Sequence, residues 1–169
     1  MQYRVPKKIY LALSLALLPL AGTLSLAVFT VMEVGYAPLN IAAALIGIRL
    51  SVAVVTRFVM TGCAYRLGEA YEDYTLYLYR IVRNKSHLVG KVELTGAESL
   101  IPLDRKGRKT VKGRKFRGDM TANLVPHKRY ALLFEDSGVD FYLILELNPA
   151  MVHAIEQRIA LAKAYFIDL

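Results

Sequence analysis

Thirteen consecutive positions, Arg105 to Arg117, hold eight cations and no acid: Arg105, Lys106, Arg108, Lys109, Lys112, Arg114, Lys115 and Arg117. Setting them aside leaves 14 basic against 14 acidic side chains, so the whole formal charge of +8 is concentrated here. Such a run binds polyanions; it does not make or break bonds. Beside an anionic leaflet each Lys or Arg contributes on the order of 1 kcal/mol within a Debye length. RNA or DNA would be held by counterion release, but Phe116 is the one aromatic within the run for base stacking and no RNA-binding motif accompanies it. The bland alternative is a mobile, solvated loop that obeys the positive-inside rule. Its glycines lack the strand-to-helix context of a phosphate loop and read as flexibility.

Bond-making chemistry finds little support elsewhere. His87, His127 and His153 fall on a predicted turn, strand edge and helix, without the spacing that places two metal ligands on one helix face. The doublets Glu72-Asp73 and Glu135-Asp136 could serve acid–base work or a divalent cation, yet they fall at predicted hairpin turns, where solvated carboxylates are ordinary. GxxxxGK[ST], GxGxxG and GxSxG patterns do not occur. The lone cysteine, Cys63, excludes an intrachain disulfide; it reads as a packed thiol, with lipidation as the alternative. The expectation is a non-enzymatic protein with no metal, cofactor or small-molecule substrate inferred.

The elements that position these residues begin with Ile9 to Met32, 24 residues without a charge. A hydrocarbon core of roughly 30 Å needs about 20 apolar residues, so the run suits a transmembrane helix. Arg4, Lys7 and Lys8 precede it with no acid, which predicts a cytoplasmic N-terminus. A cleaved signal peptide starts the same way, but its apolar region spans about 7 to 15 residues. EVGYAP then reads as a turn, and Leu39 to Thr61 as a returning helix interrupted by Arg49 and Arg57. The competing reading is an interfacial helix. An arginine at mid-bilayer costs about 2.5 to 3.5 kcal/mol on insertion scales. In a hairpin, Arg49 stands at the depth of Gly22 and Thr23, where it either contacts a partner subunit or ion, or snorkels and bonds Thr23.

From Tyr65 the pattern becomes alternation. YRLGEAYEDYTLYLYRIV predicts two strands with a turn at Glu72-Asp73; RNKSH predicts the next turn, and LVGKVEL and SLIPL two more strands. After the basic loop, ANLVP, RYALLFED and VDFYLILEL add strands, the last two joined by EDSG. Asn148 and Pro149 mark a helix start, followed by an apolar face of Met151, Val152, Ile155, Ile159 and Ala162.

A membrane hairpin, then YEDYTLYLYRIVRNKSHLVGKVELTGAESLIPL, a strand pair and NPAMVHAIEQRI resembles the small bacterial membrane proteins that carry a pleckstrin-homology-like domain of unknown function. In the eukaryotic lipid-binding relatives the phosphoinositide motif lies in the first hairpin loop, which here is the acidic Glu72-Asp73 turn. The resemblance implies an α+β membrane protein: a transmembrane hairpin with helices at about 9–32 and 39–61, then residues 64–169 as a pleckstrin-homology-like domain of about six or seven strands with a C-terminal capping helix. The expected location is the cell membrane with both termini cytoplasmic. The expected function is a scaffold or anionic-lipid-surface module, with a protein partner or second copy met through the hairpin. The alternative is a membrane-tethered nucleic-acid binder using residues 105–117.

Overall fold

Residues 7–61 and residues 1–6 with 62–169 form two separate units in the computed structural model, which describes residues 1–32, 36–69, 73–126 and 128–167. In the first unit the uncharged run becomes helix α1, Ile9–Val31. Pro38 suits the first turn of a helix, where its missing N–H is not needed, and α2 runs over Ala37–Val54 before continuing as a π-helical turn, Val55–Met60. The second helix therefore covers 37–60 where the sequence predicts 39–61; residues 33–35 of the predicted turn lie outside the described residues. Both helices are long and apolar enough to cross a membrane, with mean hydropathy of 2.1 and 1.9 over their most apolar windows.

Helices that are apolar on every side have no hydrophobic stripe to choose a mating face, so contact forms where small residues let the backbones approach. Ala12, Ala16 and Ser51 are the buried positions of the pair. Ser51 Oγ lies 2.9 Å from Ala16 O across the interface and 3.0 Å from Gly47 O within its own helix. Gly47 marks the closest approach: a Cβ there would stand 2.5 Å from Thr23 Cγ2 and 3.2 Å from Pro19 O. The Thr23 methyl is held in that position because its Oγ1 donates to Leu20 O at 2.7 Å. At the base, Lys7 Nζ donates to Val59 O at 2.8 Å.

The second unit contains a strand that the sequence analysis does not anticipate. β1, Gln2–Arg4, pairs antiparallel with β2, Thr61–Leu67, setting Tyr3 opposite Tyr65 and Arg4 opposite Ala64. Val5 N–H donates to Cys63 O at 3.1 Å and Leu67 N–H to Met1 O at 2.9 Å, extending the ladder at both ends. The expected boundary at residue 64 is corrected accordingly: the folded unit includes the segment that precedes α1. Three residues are too few to show an alternating pattern, and their partner lies some sixty residues away.

β3, Thr75–Val82, and β4, Lys85–Glu93, are joined by Arg83 and Asn84, with φ of 48° and 63°. This is the two-residue turn whose twist suits a hairpin; the predicted five-residue turn shrinks to two, and His87 moves onto a strand. β5, Ala97–Pro102, follows a single 3-10 turn. A four-residue helix α3, Gly107–Thr110, then leads into β6, Lys115–Met120. β7, Arg129–Asp136, and β8, Val139–Glu146, meet at Ser137-Gly138, with φ of 53° and 74°. The strands form two sheets, ordered β1-β2-β3-β4 and β5-β7-β8-β6, with β6 parallel to β8.

Among the described residues β2 to β8 make seven strands, within the expected six or seven, and β1 joins them from before α1; the last part of the basic loop is a strand, and ANLVP is not one. Helix α4, Pro149–Ile167, begins as expected: Met151 N–H donates to Asn148 Oδ1 at 2.8 Å. Its face of Met151, Ile155, Ile159 and Ala162 is buried with Tyr65, Leu76, Leu94, Leu132 and Leu145.

Two outcomes follow. Gly47→Leu should weaken the helix pair by about 1–3 kcal/mol, because the new side chain meets backbone and a fixed methyl. SDS titration of the chain in mixed micelles measures this, and an unchanged midpoint would refute the seam. A soluble chain in which a short Gly-Ser linker joins residue 6 to residue 62 should fold and exceed residues 62–169 alone by at least about 1 kcal/mol, since it restores the β1 hydrogen bonds. Equal denaturant midpoints would show that β1 contributes nothing.

Candidate functional site

The basic run is hydrogen-bonded turn by turn. Asp104 Oδ1 accepts from Lys106 N–H at 2.9 Å and Gly107 N–H at 2.7 Å, and its carbonyl accepts from Arg108 N–H at 3.0 Å, which starts α3. Gly107 is buried so close to Pro102 O that any Cβ would run into that carbonyl. It is a packing glycine, whereas Gly113, at φ 98°, supplies a turn conformation that side chains rarely adopt. Val111 N–H donates to Gly107 O and Arg114 N–H to Val111 O, and the chain then enters β6.

The eight cations do not form one set. Arg114 turns inward: its side chain is 16% exposed, it pairs with Glu98, and its Nη1 lies 3.9 Å from Asp140 Oδ1. Arg105, Lys106, Arg108, Lys109, Lys112, Lys115 and Arg117 are exposed and, among the described residues, have no ion pair. Arg117 carries its guanidinium over the Phe141 ring, 5.2 Å from the centroid. Phe116 is 55% exposed, with its ring 5.4 Å from that of Tyr142. Glu98 and Asp140, which sort Arg114 from the others, are distant in sequence and carried no signal of that role.

The backbone after β6 is held by side chains. Glu146, 3% exposed at the end of β8, accepts at Oε2 from Ala122 N–H (3.1 Å) and Asn123 N–H (3.2 Å), and at Oε1 from Asn123 Nδ2 (2.7 Å). Asn123 Nδ2 also donates to Pro6 O at 2.8 Å. Tyr65 OH donates to Met120 O at 2.5 Å and accepts from Glu146 N–H at 3.1 Å. With Thr121 N–H donating to Asp119 Oδ1 at 2.8 Å, these bonds explain why residues 121–123 are not a strand: their amides are engaged by carboxylates instead of a ladder. Burial raises the Tyr65 phenol well above its ordinary value near 10, and the Glu146 N–H opposes that shift only in part. Tyr3, stacked on Tyr65 with centroids 6.2 Å apart, is raised as well, first by burial and then by Glu146.

The remaining candidates are dispersed. Arg49 is exposed and lies two residues from both Gly47 and Ser51, hence on the face of α2 away from α1, while the Thr23 hydroxyl bonds its own helix. Of the alternatives for Arg49, a bond to Thr23 is not among those made by the described residues. His87 is exposed on β4 and His153 on α4; His127 lies outside the described residues, as does Glu72. Hydrogen bonds from Thr75 hold the Asp73 carboxyl below its ordinary value. Glu135 and Asp136 are exposed at the β7–β8 turn. Cys63 is buried within β2 and not at the end of a helix. Among the described residues no three His, Cys, Asp or Glu side chains group as metal ligands. No protein-family model, curated protein or solved structure matches the chain.

A neutral Tyr65 is the form the fold accommodates, so its contribution is complete below about pH 10 and is lost as pH rises through the elevated folded value. Tyr65→Phe should cost about 1–3 kcal/mol at pH 8 by orphaning Met120 O and Glu146 N–H. The gap to wild type should narrow above pH 10. Chemical denaturation of both proteins from pH 8 to 11 measures it; a constant gap would show that Tyr65 does not titrate against folding.

Proposed function

We propose that this chain is a non-enzymatic, membrane-anchored module whose α1–α2 hairpin spans the cell membrane and whose folded unit docks on an anionic lipid surface through residues 105–117. The hairpin reading is supported by the surface of the helices: Leu17, Leu18, Leu24, Leu39, Leu45 and Ile46 are each more than 60% exposed, far more apolar area than water tolerates on one protein. Pairing of β1 with β2 supports an even number of crossings, because the strands on either side of the hairpin belong to one sheet. Arg4, Lys7 and Lys8 make that side cytoplasmic by the positive-inside rule. Two sheets closed by a C-terminal helix favour a pleckstrin-homology-like architecture for the folded unit.

The observation that carries the docking role is the sorting within the run. One of eight cations satisfies the fold's own acids, and seven remain exposed without an ion pair among the described residues. At on the order of 1 kcal/mol each beside an anionic leaflet, seven suffice for stable but salt-sensitive docking. The exposed Phe116, backed by Tyr142 and flanked by Lys115 and Arg117, favours a second reading, in which single-stranded nucleic acid stacks on that ring.

A competition decides between them. The full chain in phosphatidylcholine nanodiscs is offered phosphatidylglycerol vesicles and single-stranded RNA at equal phosphate concentration, in about 0.15 M salt. Vesicle capture is expected, absent with neutral vesicles. It should weaken on the order of 100-fold in the Lys109, Lys112 and Lys115 to Ala variant, which keeps Arg114 and its ion pair. Preference for RNA would replace the lipid reading. Binding to neither would reduce the run to a topology signal.

A further inference from the structure

The β3–β4 hairpin carries charge of one sign from Tyr74 to Val92: Arg80, Arg83, Lys85 and Lys91, with no acid between Asp73 and Glu93. Arg83, Lys85 and Lys91 are exposed and, among the described residues, have no ion pair. Arg83 stands in the turn itself with φ of 48°, a position where glycine or asparagine is the usual choice. The tip thus keeps a cation at a conformational cost.

The register of the hairpin breaks once. Leu78 is opposite Gly90 and Tyr79 opposite Leu88, so Val89 is the extra residue of a β-bulge. In an unbroken strand Leu88 would share the face of Val92, which is buried. At the bulge both apolar residues stay outside, Leu88 56% and Val89 52% exposed. β4 is a terminal strand of its sheet, and such edges are commonly guarded by bulges and charges against pairing with another chain. Guarding alone calls for polar residues at the bulge, and this one holds a leucine and a valine.

The hairpin adjoins the basic run. Val89 and Lys91 border one cavity of about 610 Å³ together with Arg117, the last cation of that run. Glu93, Asp119, Glu135 and Asp136 border it as well, so the cavity itself is no anion site, and Arg83, Lys85 and Leu88 stand outside it.

From these features we infer that the β4 bulge is a lipid anchor: Leu88 and Val89 enter the boundary between headgroups and acyl chains of an anionic leaflet, while Arg83, Lys85 and Lys91 meet its phosphates. The inference rests on the lipid-docking reading and adds to it a contact that charge alone does not supply. Aliphatic side chains set among cations suit that boundary, where hydrocarbon lies just beneath a layer of negative charge. A nucleic acid would satisfy the cations and offer the aliphatic pair little to bury against.

The chain has no tryptophan, so one placed at the bulge reports on it alone. The full chain carrying Leu88→Trp or Val89→Trp, held in an uncharged amphipol, is mixed with phosphatidylglycerol vesicles whose acyl chains are brominated near the headgroup. Emission should shift to the blue and be quenched, and neither should occur with phosphatidylcholine vesicles of the same bromination. Leu88→Ser/Val89→Ser should weaken phosphatidylglycerol vesicle capture at least about ten-fold at an unchanged melting temperature, since both side chains are exposed in the fold. Capture of the tryptophan variants without shift or quenching would overturn the anchor and leave docking through residues 105–117 standing. No capture of the wild-type chain would overturn both readings. Capture of the serine variant equal to wild type would overturn the anchor. Self-association of wild type that the serines abolish would overturn it in favour of a second copy.

Discussion

The Glu146 carboxylate, taken out of water at the end of β8, is the constraint around which the folded unit closes. An isolated buried carboxylate is costly, and its cost is offset here by donors from residues 122 and 123. Those donors can be delivered only if the chain leaving β6 turns across the end of β8, which fixes β6 as the parallel neighbour of β8. Asn123 extends the network to Pro6, and Tyr65 ties Glu146 and Met120 to β2. The backbone before the first apolar helix and the strand after the second are thereby fastened within one unit. This accounts for a three-residue strand, β1, persisting so far from its partner in sequence.

The hairpin follows a different physics. With apolar side chains on all faces, its specificity comes from what is absent at Gly47, Ala12 and Ala16, and from the Ser51 hydroxyl that reaches a carbonyl of the other helix. Arg49 lies on the opposite face of α2, outside that seam. In the spanning reading it must snorkel or meet a group outside the hairpin, for it does not stabilise the helix pair.

Order in the basic run matters to what it can do. A free loop would lose conformational entropy on docking, whereas the Asp104 cap, the close approach of Gly107 and the Arg114 ion pair have already restricted the backbone. In the docking reading the seven remaining cations would meet a polyanion on a fixed frame. Arg114 illustrates why composition overstates such a site: a guanidinium counted in the run is consumed by the fold, because Glu98 and Asp140 stand where only tertiary structure could bring them.

Local signals determined a good deal. Uninterrupted apolar length marked α1, apolar length broken by Arg49 and Arg57 marked the second helix, alternation marked β3, β7 and β8, and Asn148-Pro149 with its three- and four-residue periodicity marked α4, since each depends on neighbours within about twenty residues. The concentration of charge between 105 and 117 was equally plain from the sequence. What depends on distant partners was decided only by the tertiary structure: β1, the conversion of 115–117 from loop to strand, the loss of a strand at ANLVP, the inward turn of Arg114, and the cavity between two sheet edges. Hydrophobic periodicity reports which side of an element is buried, but it does not report which element covers it. The hydrogen bonds of Glu146, Asn123 and Tyr65, which settle that question here, join residues up to 117 positions apart.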